Sequence, residues 1–75
     1  MITDVDTSQY VDYVGKPPRG DGFWVFLIYV SLRNQAREFA VHGSYSLARA
    51  KAINEANRSG AVKVSLDEFQ SRPRR

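Results

Sequence analysis

Ten consecutive residues, Phe23-Trp24-Val25-Phe26-Leu27-Ile28-Tyr29-Val30-Ser31-Leu32, carry no charged side chain. They are rich in aromatic and β-branched residues, which favour an extended strand. Alternation sets Trp24, Phe26, Ile28, Val30 and Leu32 on one face and Phe23, Val25, Leu27, Tyr29 and Ser31 on the other. Both faces are apolar over most of the length. Such a strand belongs at the centre of a sheet with both sides at least partly covered. The run is too short to cross a membrane, which takes about 18 apolar residues or more. Its covering must come from a chain of 75 residues, long enough for one domain that buries only about 60% of its unfolded surface.

The following residues supply the rest of a small sheet. Arg33-Asn34-Gln35-Ala36 is a polar break. Arg37 to His42 makes a second strand, with Phe39 and Val41 on one face and Ala40 and His42 on the other. So short a connection favours an antiparallel hairpin. Gly43-Ser44-Tyr45-Ser46 offers two serines as helix caps. The alanine-rich segment from Leu47 to Asn57 is predicted helical, with Leu47, Ala50 and Ile53 on one stripe and Gly60 as a left-handed stop. Ala61-Val62-Lys63-Val64-Ser65-Leu66 alternates as a third strand with Val62, Val64 and Leu66 inward.

These elements predict an α+β fold of strand-strand-helix-strand order. Its small three-stranded, antiparallel-type sheet has the order 2-1-3, and one helix packs on one face. The helix joins the parallel second and third strands by a right-handed crossover. Residues 1 to 22 hold four aspartates, Pro17-Pro18 and three glycines, and read as a flexible, extended, acidic N-terminal arm. The domain then spans residues 23 to 69, and residues 70 to 75 form a basic tail.

A single helix leaves one sheet face uncovered, although the first strand is apolar on both sides. Either Tyr10, Val11, Tyr13 and Val14 of the arm fold back over that face, or a partner does. Tyr29 and Tyr45, with neighbouring arginines, are the residue types that anchor protein interfaces. The order 2-1-3 also leaves strands two and three as edges open to pairing. Lys63 and Asp67-Glu68 supply charges that discourage it at the third.

Eleven Lys/Arg against eight Asp/Glu give a net charge of +3. Arg72, Arg74 and Arg75 account for the whole surplus, since the preceding residues cancel. A basic tail attracts phosphate in a salt-dependent way, and a solvated tail that aids solubility is the simpler reading.

Catalysis finds little support. The chain has no cysteine and one histidine, which excludes thiolate chemistry and leaves His42 without a partner ligand. Asp67 and Glu68 are adjacent, so on a strand they point apart. Gly15-Lys16-Pro17-Pro18-Arg19-Gly20-Asp21-Gly22 lacks phosphate-loop spacing, and its two prolines remove amide donors. No catalytic, cofactor-binding or metal-ligating set is expected. With no apolar leader at Met1 to Asp6, the expected location is the cytoplasm.

A Phe-Trp-opened strand, a second strand containing Glu38-Phe39-Ala40-Val41, an alanine-rich helix and the Val62-Lys63-Val64 strand follow an acidic start. Over residues 22 to 66 this order resembles the small RNA polymerase inhibitors of T-odd podoviruses. The resemblance implies a phage protein that binds the β′ subunit of the host enzyme and blocks initiation. Arginines on the third strand matter in that family; here that strand offers only Lys63, followed by acidic Asp67 and Glu68. The expected partner-binding residues are therefore Tyr29, Arg33, Arg37, Tyr45, Lys63, Arg72, Arg74 and Arg75.

The expected function is stoichiometric inhibition or redirection of a bacterial complex, RNA polymerase first, by a monomer or weak dimer with no membrane partner. The alternatives are a nucleic-acid-binding module, with strand aromatics stacking on bases and the tail gripping phosphates, and an anti-CRISPR inhibitor.

Overall fold

A computed structural model describes residues 1–31 and 35–73. The chain order is α1 (Ser8–Val14), β1 (Asp21–Tyr29), β2 (Arg37–Ser44), α2 (Tyr45–Ser59), β3 (Lys63–Leu66) and β4 (Arg72–Pro73). The sheet has the order β2-β1-β3, with β1 central and antiparallel to both neighbours, as its two apolar faces demand. The short strand β4 also pairs with β1, setting Phe23 opposite Arg72 while β3 pairs with Phe26 to Tyr29. The last four strand residues of β1 and its first few thus share one flank between β3 and β4.

One face of β1 holds the core. Trp24, Phe26 and Ile28 are fully buried against Val64, Leu66 and Val41, each contributing about 1.5–3 kcal/mol by leaving water. The tryptophan indole satisfies its N–H by donating to the Gly43 carbonyl at 3.1 Å. Tyr45 stands edge-on to Trp24, with ring centroids 5.1 Å apart.

The helix α2 begins where Ser44 caps it: the serine hydroxyl accepts from the Leu47 amide at 3.2 Å. It ends at Gly60, whose φ of 73° is the left-handed stop that glycine adopts without strain. Its buried stripe is Ala48, Ala52 and Ala56, each fully buried. This corrects the stripe expected at Leu47, Ala50 and Ile53: Leu47 is 52% exposed and only Ile53 packs against the core. Methyl-sized side chains let the helix settle closely onto β1 and β2, whose own large residues fill the layer. Bulk comes from the sheet, and the helix supplies the close approach.

The third strand is also shifted. It starts at Lys63, and Val62 lies 56% exposed just outside it, so only Val64 and Leu66 of the expected inward set reach the core. The first strand stops at Tyr29; Leu32, and the turn residues Arg33 and Asn34, lie outside the described residues.

The N-terminal arm departs most from expectation. Its first residues run along the outer edge of β3: the Asp6 amide donates to the Val64 carbonyl at 2.8 Å, and the Leu66 amide to the Asp6 carbonyl at 3.0 Å. Asn57 of α2 exchanges a pair of hydrogen bonds with the backbone of Ile2, at 2.7 and 2.9 Å. Arg49 bonds Asp4 at 2.9 Å. The arm then forms the helix α1, stopped by Gly15, instead of staying extended. Its Tyr10 is buried 6.0 Å from Trp24. The arm therefore joins α2 on the same side of the sheet. Of the two alternatives for the opposite face, the fold-back of the arm does not occur for Tyr10, which is seated against Trp24 on the helix side.

Candidate functional site

With both helices on one side, the other side of the sheet is left to itself. Strand alternation presents Phe23, Val25, Leu27 and Tyr29 of β1 there, beside Glu38, Ala40 and His42 of β2, Lys63 and Ser65 of β3, and Arg72 of β4.

The middle of this face is closed by the turn between β3 and β4. Asp67 organises it: its Oδ1 accepts from the amides of Phe69 and Gln70 at 2.8 and 3.2 Å. Gln70 reaches across β1 to donate to Glu38 Oε2 at 2.6 Å. Below it, Ser71 is hydrogen-bonded to both backbone groups of Val25. Val25, Ser65, Asp67 and Ser71 are all buried as a result. The apolar centre, for which the arm or a partner was the expected cover, is covered by the chain's own turn.

The two ends stay open. At one, the rings of Phe23 and His42 lie 4.6 Å apart, and Arg72 sits in register with Phe23. At the other, Lys63 places its ammonium 5.7 Å from the centre of the Tyr29 ring and 3.6 Å from Asp6. Phe23 and Tyr29 are six positions apart on β1, a span of about 20 Å at the rise of an extended chain. The Asp6 carboxyl is held below its ordinary range, first by the Ser8 hydroxyl and amide and further by Lys63. It stays charged and offsets the lysine. At the Phe23 end Arg72 stands likewise with an acid on the same face, exposed Asp21 two residues before Phe23.

A glycine makes that end possible. A Cβ on Gly22 would lie 2.5 Å from the Arg72 carbonyl oxygen and 2.8 Å from Pro73 Cα. Only glycine lets β4 approach β1 this closely. Of the three arginines that make up the net charge, Arg72 is on the strand that docks beside Phe23.

The expected partner-binding residues divide accordingly. Tyr29, Lys63 and Arg72 lie on the open face. Arg37 does not: it lies on the helix side, opposite Ile28, and bonds Glu55 and Ser59 of α2 at 2.9 and 3.0 Å. Tyr45 is half-buried in the core between Trp24 and Phe26, where burial pushes its hydroxyl pKa upward. Both brace the fold. Arg33, Arg74 and Arg75 lie outside the described residues. Sequence reasoning missed Phe23 and His42 as a pair; their alternation on adjacent strands was visible, but only the hairpin register brings them together.

A cleft of about 450 Å3 lies between α1 and the turn, lined by Gln9, Asp12, Tyr13, Glu68 and Phe69. Tyr13 and Phe69 meet edge-on there, both largely exposed. Among the described residues no three His, Cys, Asp or Glu side chains converge as a metal site, and no helix is long and apolar enough to cross a membrane. Neither a protein-family model, nor a curated protein, nor a solved structure matches this chain.

Proposed function

We propose that this protein acts by stoichiometric binding, through the Phe23 end of its open sheet face, to an acidic surface on a partner protein. The observation that carries the reading is the junction of Phe23, His42 and Arg72. An apolar ring, an imidazole and an arginine side by side are the residue types that anchor interfaces, and added arginines steer an acidic partner toward them. Among the described residues this face presents aromatic, imidazole and guanidinium groups suited to contact, and binding is the proposed mode.

The specific partner proposed is bacterial RNA polymerase, on the element order that resembles phage inhibitors of that enzyme. Binding there would be inhibitory by occlusion. Fluorescently labelled protein titrated into purified bacterial RNA polymerase should saturate at one copy per enzyme, and in vitro initiation should fall in parallel. Phe23→Ala and Arg72→Ala should each weaken binding at least tenfold while the thermal unfolding midpoint stays close to that of the parent. Absence of binding at micromolar concentrations would remove polymerase as the target.

The ring pair of Phe23 and His42 beside Arg72 also suits a single-stranded nucleic acid, with a base stacked on the ring and phosphates on the tail. Against it stand Glu38 at the centre of the face and Asp6 beside Lys63, which interrupt any continuous cationic track. Tight oligonucleotide binding that collapses between low and moderate salt would reverse this preference.

A further inference from the structure

The two edges of this sheet are treated differently. The outer edge of β3 is occupied by the N-terminal arm, which pairs with it through Asp6. Beyond β2 no strand pairs among the described residues.

Hydrogen-bond directions on β1 define what β2 offers at that edge. The carbonyl of Tyr29 and both backbone groups of Val25 point toward β3 and β4, accepting from Val62 and Asp67 and bonding Ser71. Backbone groups alternate along an antiparallel strand, so those of Trp24, Phe26 and Ile28 point to β2. Their register partners Val41, Phe39 and Arg37 take up those bonds. The amides and carbonyls of Glu38, Ala40 and His42 therefore point outward, away from the sheet. The segment carries no proline, and of its two charges Arg37 is tied back to α2, which leaves Glu38 as the one charge at the edge.

The outward set is self-complementary. We infer that β2 pairs with β2 of a second copy, antiparallel about a two-fold axis at Ala40, making one continuous sheet of eight strands in which β4 of each copy shares the flank of β1 with β3. In this register outward-pointing Ala40 meets Ala40 of the second copy, and Glu38 meets His42 in both directions. Each carboxylate then faces an imidazole, a cross-strand pair of the favourable kind. On the helix side Phe39 meets Val41, extending the apolar layer. The methyl group of Ala40 is small enough to sit on the axis. The helices have room: α2 lies over β1 and β2 and reaches β3, so with strands about 4.8 Å apart two such helices are separated by more than two strand spacings, beyond about 10 Å, and do not clash.

This dimer leaves Phe23 and Arg72 open but takes up His42 of the site proposed above; its tests read mass and edge-amide exchange, which stand apart from partner binding. Light scattering coupled to size-exclusion chromatography, run from low to high micromolar, should show a mass rising from 8.5 kDa to twice that. Ala40→Pro removes only an outward amide and should remain monomeric throughout, with an unchanged circular dichroism spectrum. Glu38→Lys should raise the dissociation constant at least tenfold, and adding His42→Glu should restore it by reversing the pair. Should Ala40→Pro misfold, hydrogen exchange of the parent decides: the Glu38, Ala40 and His42 amides should become protected as concentration rises. A mass of 8.5 kDa at every concentration, a dimer indifferent to these substitutions, or edge amides that exchange equally at all concentrations would overturn the inference.

Discussion

Ser71 stands in for a strand residue opposite Val25. Its hydroxyl accepts from the Val25 amide at 3.0 Å and lies 3.3 Å from the Val25 carbonyl, to which it donates. The Asp67 amide completes the pairing by donating to that same carbonyl at 2.8 Å. The turn between them lets β3 and β4 share one flank of β1 without leaving the central strand unsatisfied.

Replacing Ser71 by Ala leaves a buried Val25 amide without its acceptor. An orphaned buried donor costs about 1–3 kcal/mol. Urea denaturation should show that loss, with an unchanged slope because the surface exposed on unfolding is the same. A midpoint equal to that of the parent would show that the hydroxyl is dispensable.

The alanine stripe of α2 sets the spacing between helix and sheet. Ala52 is fully buried at its middle. Ala52→Leu adds bulk where no space exists, and such overpacking costs about 1–3 kcal/mol. Ala50→Leu, on the exposed side of the same helix, should leave the unfolding midpoint nearly unchanged. The pair of variants, compared by thermal unfolding, separates packing from helix propensity.

Glu55 accepts from Arg37 and Arg58 at 2.9 Å each. The Arg37 hydrogen bond does most to hold its pKa below the ordinary 4.5. Asp4 is lowered likewise by Arg49, and Asp6 by Ser8. A carboxylate lowered in the folded state stabilises the fold above its unfolded pKa, and that contribution fades as pH falls through the folded value. The unfolding temperature should hold steady from neutrality down toward the unfolded carboxylate pKa and then decline. Glu55→Gln should start lower at neutral pH and lose less on acidification, as calorimetry across that range would record.

Arg37 and Arg72 are both exposed arginines of the sheet with opposite assignments. Arg37→Ala should lower stability by no more than about 1 kcal/mol, the range of a surface ion pair, and leave partner affinity unchanged. Arg72→Ala should do the reverse. If Arg37→Ala weakens binding without altering stability, the site has been placed on the wrong side of the sheet.

Gly22→Ala tests the position of the tail and leaves its charge intact. The added methyl collides with the backbone of Arg72 and Pro73, so β4 should detach while the arginines remain. A drop in partner affinity comparable to that of Arg72→Ala would show that docking beside Phe23 matters. Unchanged affinity would show that a free tail is enough.

The sequence by itself determined the central strand, its two faces, the hairpin, the capped helix and the order β2-β1-β3. Each rests on local alternation, propensity and short connections, which act between residues close in the chain. It also placed the surplus charge at the last residues. The tertiary structure decided what covers each face, because that depends on competition among distant segments. Tyr10 goes to Trp24 and not to the opposite face, since the pocket beside the indole buries it fully. The second face is closed by the turn at Asp67 to Gln70, a segment whose polar composition gave no sign that it would lie over Val25. Arg37 and Tyr45 read as interface residues by type alone, yet the register of β2 turns Arg37 toward Glu55 and the start of α2 drops Tyr45 beside Trp24. The candidate site was therefore half legible. Its members Tyr29, Lys63 and Arg72 were visible as residue types, while the joining of Phe23, His42 and Arg72 waited on strand pairing between residues far apart in sequence.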